Sequence, residues 1–122
     1  MIKLHFNDAK SHQKVKPLNF KTMVIDFQST NFKADIKLRE FIGSKLQKME
    51  KLYNRVLNAT VYLKVNKASN KQNKIIEIKL NLPETQIFVS ESDQTFETAT
   101  DKAISSLSNQ LAKVKARITG SL

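Results

Sequence analysis

The sequence predicts an α+β domain with the element order βαβββα, in which two helices pack on one face of a four-stranded sheet. Two long segments repeat apolar residues at helical spacing, which indicates amphipathic helices. Four short segments alternate apolar and polar residues, as antiparallel strands with one covered face do. The length of 122 residues fits one domain, and 40% of the residues are hydrophobic, which suffices for a core.

The first strand and the first helix follow each other closely. Residues 23–28 alternate, and one face carries Met23, Ile25 and Phe27. Asp35 is a candidate N-cap for a helix that we predict to run to about Tyr53. The apolar stripe of this helix, which we expect to face the core, comprises Leu38, Phe41, Ile42, Leu46, Met49, Leu52 and Tyr53.

Three strands and a long helix complete the pattern. The strands are predicted over residues 59–65, 76–82 and 86–90, with Pro83 to Thr85 as a tight turn. The helix is predicted from about Asp93 to Ile118, with acidic residues in its first turns and Lys113, Lys115 and Arg117 in its last. Its apolar face comprises Phe96, Ala99, Ala103, Ile104, Leu107, Leu111, Val114 and Ile118.

Residues 1–22 differ from the rest of the chain. They contain both histidines and no sustained apolar period, and five lysines against Asp8 give them a charge of +4. We therefore predict a flexible basic arm or leader over residues 1–22 and a folded domain over residues 23–122.

The composition argues against an enzyme and against a bound metal or cofactor. The chain has no Cys and only two Gly, so cysteine chemistry and a glycine-rich phosphate loop are excluded. Both histidines, His5 and His12, fall in the arm, and the carboxylates show no metal-ligand spacing. The lack of Cys, of a signal peptide and of a long apolar stretch favours a cytoplasmic location.

The net charge of +10, with a sequence pI near 9.9, points to a polyanionic partner, and nucleic acid is the foremost candidate. Within the first helix, a basic arc flanks the apolar face and comprises Lys37, Lys45, Lys48, Lys51 and Arg55. The chain lacks the GXXG loop of KH domains and the strand aromatics of an RRM. Structured RNA would therefore meet a different surface, and the basic arc of the first helix favours contact with phosphate.

Three segments carry a resemblance to a known family. They are Leu38 to Phe41, Leu63 to Lys67, and the pattern Asp93, Ala99, Asp101, Gln110, Leu111, Lys113 and Lys115. Through the order and spacing of these segments, the chain from Met23 to about Arg117 resembles the short ribosome hibernation-promoting factors. This family is also called ribosome-associated inhibitor or sigma-54 modulation proteins. The resemblance implies the βαβββα fold, docking on the small ribosomal subunit in the channel for mRNA and tRNA, and inhibition of translation in idle cells.

The resemblance also implies a set of residues that face ribosomal RNA. By position these are Arg39, Lys45, Lys48, Lys51, Arg55, Lys64, Lys67, Lys113, Lys115 and Arg117. Ser106 and Asn109 stand where relatives often carry Lys and Arg, which weakens the part of the patch on the second helix. The partner is then the small subunit and its rRNA, with no membrane, no small-molecule substrate and a monomeric protein off the ribosome.

Other readings of the same sequence stay open. A generic structured-RNA-binding or RNA-chaperone module would use the same charge without the ribosome. A protein-interaction regulator of transcription would fit the older family name. Attachment of the first helix to a membrane surface ranks last, because the sheet needs the apolar face of that helix.

Overall fold

The computed structural model describes residues 3–6, 23–30, 32–51, 53, 55–68 and 73–118. Its elements are β1 (Lys3–Phe6), β2 (Val24–Thr30), α1 (Ile36–Glu50), β3 (Asn58–Val65), β4 (Lys74–Asn81), β5 (Gln86–Asp93) and α2 (Phe96–Ile118). The order from β2 to α2 is βαβββα, so the predicted α+β fold class is confirmed.

The strands form one sheet in the order β1-β2-β3-β4-β5. β2 pairs with β3 in parallel, because α1 carries the chain back across the sheet between them, whereas the β3–β4 and β4–β5 pairs are antiparallel. The strand β1 lies at the edge, parallel to β2, with Lys3 opposite Val24 and Phe6 opposite Phe27.

Sequence reasoning missed β1, and this strand adds a fifth member to the predicted four. It covers only four residues, which is too short for alternation to stand out from its surroundings. The predictions of a flexible basic arm over residues 1–22 and of a domain boundary before Met23 fall mostly on residues that the structure does not describe, and both remain predictions.

One face of the sheet forms the core, as the alternation predicted. Met23, Ile25 and Phe27, which begin the predicted unit, are each at most 2% exposed. The inward positions of the next three strands are also buried, namely Ala59, Val61, Leu63, Ile76, Ile78, Leu80, Ile87 and Val89. The helices supply the opposing layer with Ile42, Leu46, Met49, Ala99, Ala103, Leu107, Leu111 and Val114. Burial of this apolar surface is the main force that holds both helices on the sheet.

The helix starts are set by side-chain caps. The Asp35 carboxylate Oδ1 accepts a hydrogen bond from the Leu38 backbone N–H at 2.8 Å, which confirms the predicted N-cap. The predicted start of the second helix at Asp93 is wrong, because β5 continues to Asp93 and the helix begins at Phe96. The Thr95 hydroxyl Oγ1 accepts from the Thr98 backbone N–H at 3.1 Å and caps α2 instead.

The first helix ends at Glu50, three residues before the predicted end at Tyr53. The chain leaves the helix through a turn in which the Tyr53 backbone N–H donates to the Glu50 carbonyl at 3.0 Å. Tyr53 is nevertheless buried at 6% exposure, so the apolar period predicted the burial of this residue although it lies beyond the helix. Apolar spacing reports burial more directly than it reports a helix boundary.

Both helices run in the same direction along the sheet. The helix α1 returns antiparallel to β2, and α2 returns antiparallel to β5, which itself runs in the direction of β3. At their N-terminal ends, the rings of Phe32 and Phe96 stack with centroids 4.9 Å apart. The C-terminal ends of the two helices therefore lie at the same end of the sheet, beside the turn between β4 and β5.

Candidate nucleic-acid interface

The exposed side of α1 carries the first group of cations. Because Ile42, Leu46 and Met49 turn inward, Lys48 and the C-cap residue Lys51 lie on the solvent side, and both are exposed. A cation in the last turn also interacts favourably with the partial negative charge of the helix C-terminus. This end of α1 thus presents two ammonium groups to solvent.

Lys45 is held more tightly than its neighbours. Its Nζ lies 3.3 Å from Asp101 Oδ1 of α2 and 5.3 Å from the centroid of the Phe41 ring. The side chain is 38% exposed, so the ion pair is well screened and adds little to stability. The ion pair connects the two helices at mid-length. It also partly neutralises the Lys45 charge that would otherwise be available to a phosphate.

Arg55 lies in the turn that leads into β3. It forms an ion pair with Glu84, which belongs to the turn between β4 and β5. The backbone supports this placement, because the Leu57 N–H donates to the Asn81 carbonyl at 2.8 Å. The guanidinium, on a side chain 45% exposed, stands at the end of the sheet where both helices terminate.

The last two turns of α2 carry the second group of cations. Lys113, Lys115 and Arg117 are all exposed. Lys113 and Arg117 line a surface pocket of about 430 Å³ together with Thr85 and Gln86. The same β4–β5 turn is therefore bordered by Arg55 on one side and by Lys113 and Arg117 on the other.

We call this part of the surface the basic end, and it comprises Lys48, Lys51, Arg55, Lys113, Lys115 and Arg117. The opposite end of the helices carries charges of both signs, with Asp35, Asp93 and Glu97 beside Lys33, Lys37 and Lys102. The Gln94 backbone N–H donates a hydrogen bond to the Asp93 carboxylate, and the Lys102 ammonium lies 3.1 Å from its Oδ2; both contacts hold the pKa of this carboxyl below its ordinary value. The six cations of the basic end outnumber the nearby carboxylates Glu50 and Glu84, so this end carries an excess of positive charge.

Besides Lys45, three of the residues expected to face RNA lie outside the basic end. Lys64 is on the outer face of the sheet, where its Nζ lies 3.0 Å from Glu77 Oε1. Lys67 lies in the turn after β3, at the opposite end of the sheet, because Val65 pairs with the first residue of β4. The structure therefore does not gather these two lysines with the helix cations.

Arg39 is the third of these residues, and it is buried at 6% exposure on the inner side of α1. Its Nε donates to the Asp35 carbonyl at 3.3 Å, and burial lowers the pKa of its guanidinium. An arginine in a protein stays charged under such a shift. Its geometry matches a residue that braces the start of α1 better than one that meets a phosphate.

Sequence reasoning missed the uncharged residues that lie beside the basic end. Thr85, Gln86 and Gln110 line the pocket beside Lys113 and Arg117, but a turn residue, a strand residue and a helix residue share no period. Gln110 entered the sequence analysis only as part of a family pattern. No signal in the sequence alone could have brought the three together, because the register of β4 with β5 and the length of α2 decide where they meet.

In the part of the chain that the structure describes, no group of three or more His, Cys, Asp or Glu side chains is arranged to hold a metal ion. Neither of its helices is long and apolar enough to cross a membrane.

Comparisons with known proteins identify the domain. Residues 25–119 match the model of the family described as sigma 54 modulation protein / S30EA ribosomal protein. A ribosomal subunit interface protein from Coxiella burnetii has a similar structure, with a TM-score of 0.69, 23% sequence identity, and coverage of 75% of this chain and 97% of that one. The N-terminal domain of Protein Y from Thermus thermophilus is also similar, with a TM-score of 0.64, 22% sequence identity, and coverage of 76% of this chain and 98% of that one. No significant match was found among curated protein sequences.

Proposed function

This chain belongs to the sigma 54 modulation protein / S30EA ribosomal protein family, a family of ribosome-associated proteins, and we propose that it binds the small ribosomal subunit in the channel for mRNA and tRNA. Bound there, it inhibits translation in idle cells. The proposal implies a cytoplasmic protein that is monomeric off the ribosome, contacts rRNA, needs no cofactor and catalyses no reaction.

The observation that carries this proposal is the convergence of the six cations of the basic end. Two parallel helices end beside one turn, and each brings lysine or arginine side chains that are exposed to solvent. Phosphate contacts by such cations supply most of the sequence-independent affinity for nucleic acid. A ribosomal channel is a concave, phosphate-lined surface, and a charged end of a compact domain suits it. The similar Coxiella burnetii protein is described as a ribosomal subunit interface protein, which supports a ribosomal partner.

Fractionation on a sucrose gradient tests the proposal. Purified chain is mixed with ribosomes, or with separated subunits, and we expect it to sediment with the small subunit and with whole ribosomes but not with the large subunit alone. In a cell-free translation reaction it should lower protein synthesis. A chain that binds free duplex RNA but stays at the top of the gradient would be an RNA chaperone. A chain that binds neither RNA nor ribosomes would instead support a protein-interaction regulator of transcription.

Salt dependence gives a second test. Each phosphate contact releases counterions, so the logarithm of the affinity should fall linearly with the logarithm of the salt concentration. Six cations predict a loss of about a thousandfold between 50 and 200 mM salt if all of them contact phosphate. A filter-binding titration of small subunits at four salt concentrations measures the slope. A flat response would rule out docking through phosphate contacts.

We also propose that residues 1–22 add affinity more than stability. They carry five lysines against one aspartate, and the described core is built from side chains of Met23 to Val114. A chain that begins at Met23 loses the four-residue strand β1, and we expect its melting temperature to fall by no more than about 5 °C. Its affinity for ribosomes should drop with the lost charge. Circular dichroism melts and gradient binding of both chains measure the two effects.

A much larger loss of melting temperature would show that β1 is an integral strand and that the domain does not begin at Met23. Unchanged melting together with unchanged ribosome binding would remove residues 1–22 from the function. The informative control is a full-length chain with the five lysines changed to Gln, which keeps the length of the segment and removes its cationic charge.

A further inference from the structure

The outer edge of β5 lacks the features that usually protect an edge strand. Within the described part of the chain, β5 pairs with β4 alone and forms the last strand of the sheet. Its register with β4 runs unbroken from Gln86 to Asp93, so no bulge interrupts the edge. The first five residues of the strand, Gln86 to Ser90, include no proline and no charged side chain. An open edge without such features can pair with another strand.

Every second residue of β5 turns its backbone hydrogen-bonding groups toward this open edge. The Leu82 N–H donates to the Thr85 carbonyl at 2.9 Å, which sets the alternation for the strand that follows. Odd-numbered residues of β5 therefore bond to β4, and even-numbered residues present their N–H and C=O groups to the edge. At the far end the Lys102 ammonium donates to the Ser92 carbonyl at 3.0 Å, so α2 closes the edge there. The open part is thus centred on Phe88.

Phe88 places its ring on the outer face of the sheet, at the middle of this open part. The side chain is 53% exposed, although its neighbours Ile87 and Val89 are buried in the core. On one side the ring stands opposite Lys79 of β4, and on the other side it borders the edge. An added strand would cover an aromatic side chain in this position and would bond to the backbone beside it.

The part of α2 beside this edge is also uncharged. Residues 103–112 include no Asp, Glu, Lys or Arg, although charged residues make up 26% of the chain. Lys102 and Lys113 both lie on the side of α2 that adjoins β5. Ser106 and Asn109 lie between them on the same side, at helical spacing. Interface cores are depleted in charged residues, and in a chain of net charge +10 this neutral strip is where a second copy meets least repulsion.

We propose that this edge binds a second copy of the chain, with the two β5 strands antiparallel about a two-fold axis at Phe88. In that register Phe88 meets Phe88 of the second copy and Gln86 meets its Ser90, so the edge-facing backbone groups of both strands bond to one another. The two Phe88 rings form a cross-strand aromatic pair on the outer face. Because the same surface serves both copies, the pairing stops at two.

The charges that meet in this register are complementary. Glu91 is half-buried on the α2 side of β5 and comes opposite Thr85 of the second copy. Thr85 borders the same pocket as Lys113 and Arg117. The Glu91 carboxylate of each copy therefore comes near two cations of the other, and no like charges stand directly opposite one another on the paired strands.

The proposed interface is small, since it consists of one pair of strands and the adjoining sides of two helices. Interfaces of this size are weak. A dilute chain therefore stays monomeric, as the proposed function has it, and copies pair when the chain is concentrated.

Sedimentation equilibrium of the full chain tests the pairing. We expect the average mass to rise from 13.9 kDa toward twice that value as the concentration increases from about 10 μM to about 1 mM. Added salt should strengthen the pairing, because it screens the repulsion between two copies of charge +10, whereas it weakens contacts with phosphate. In NMR spectra of the same samples, the backbone amide resonances of residues 86–90 should shift as the mass rises.

A matched pair of variants separates the edge from general surface properties. Phe88→Lys places two ammonium groups against each other at the two-fold axis and should keep the chain monomeric at every concentration. Val24→Lys changes the charge equally at an apolar side chain, 41% exposed on β2, and should pair like the parent because β3 and β4 separate it from β5. If Phe88→Lys does not fold, Ser90→Pro replaces it. The Ser90 N–H faces the edge, so a proline there blocks an added strand without removing a bond to β4.

A parent chain that stays monomeric at about 1 mM in high salt would overturn the proposal and leave the edge to an extended peptide of another protein. Equal pairing by the Phe88→Lys and Val24→Lys chains, or amide shifts confined to elements other than β5 and α2, would overturn it too. The docking proposal is read separately, since Phe88 lies outside the basic end. Phe88→Lys should sediment with the small subunit as the parent does.

Discussion

Changing Lys48 and Lys51 together to Glu should weaken binding to the small subunit by about 3 kcal/mol, which is roughly a hundredfold in Kd. Both side chains are exposed and belong to the basic end, where α1 terminates. Two attractions to phosphate become two repulsions, so the net charge at this point of the surface changes by four. Filter binding or gradient sedimentation at fixed salt measures the loss.

The same variant should stay folded. Exposed substitutions usually change the free energy of unfolding by less than about 0.5 kcal/mol each. Carboxylates near the C-terminus of a helix add an unfavourable interaction of up to about 1 kcal/mol with its dipole. The sum is small beside the roughly 5 to 15 kcal/mol by which domains are stable. A urea titration of parent and variant should therefore give similar midpoints.

A charge-matched control decides whether position matters. Lys33→Glu with Lys79→Glu alters the net charge by the same amount, but Lys33 precedes α1 and Lys79 lies on the outer face of the sheet. We expect this pair to cost far less affinity than Lys48→Glu with Lys51→Glu. If the two double variants bind equally weakly, the ribosome responds to net charge alone. If both bind like the parent, the helix end takes no part in docking.

Most of the fold follows from the sequence because its strands are covered on one side only. Under that condition every second side chain is buried. The alternation around Ile25, Val61, Ile78 and Val89 therefore predicts directly which side chains face the core. The cap at Asp35 is equally local, since it depends on one side chain and the next three residues. Such features need no knowledge of the rest of the chain.

The features that sequence reasoning missed depend on pairing at a distance. The end of β5 at Asp93 is set by its partner Lys74 across the sheet, and this pairing overrode the helix pattern of the acidic residues. The strand β1 exists through its backbone pairing with β2, and four residues leave no period to detect. Local propensity yields to tertiary pairing at such positions.

The same distinction holds for the candidate site. The stripe of α1 was visible because helical spacing alone puts Lys48 and Lys51 on one side. Whether Arg55, Lys113 and Arg117 adjoin one another depends on the parallel course of the helices and on the turn between β4 and β5. Arg39 was expected to face RNA because it lies in a segment that resembles the family. Packing of its own helix buries it to 6% exposure, which the sequence segment alone did not predict.

Leu46 provides the counterpart to Lys48, because the two residues lie two positions apart on α1 but on opposite sides of it. Leu46 is fully buried in the core, whereas Lys48 is exposed. Leu46→Ala should lower the free energy of unfolding by about 3 kcal/mol, through lost burial and the cavity that remains. Leu46→Met, which nearly conserves the volume, should cost less than about 1.5 kcal/mol.

Ribosome binding by Leu46→Ala should equal that of the parent at temperatures well below its melting point, because the basic end is left intact. Denaturant unfolding and binding at 10 °C measure the two quantities on the same preparation. Loss of stability with full binding for Leu46→Ala, set against loss of binding with full stability for the double Glu variant, would show that one helix serves the core and the ribosome through separate faces. If Leu46→Ala also lost binding while folded, docking would depend on the precise position of α1, and the rigid helix end could not be treated as a preformed surface.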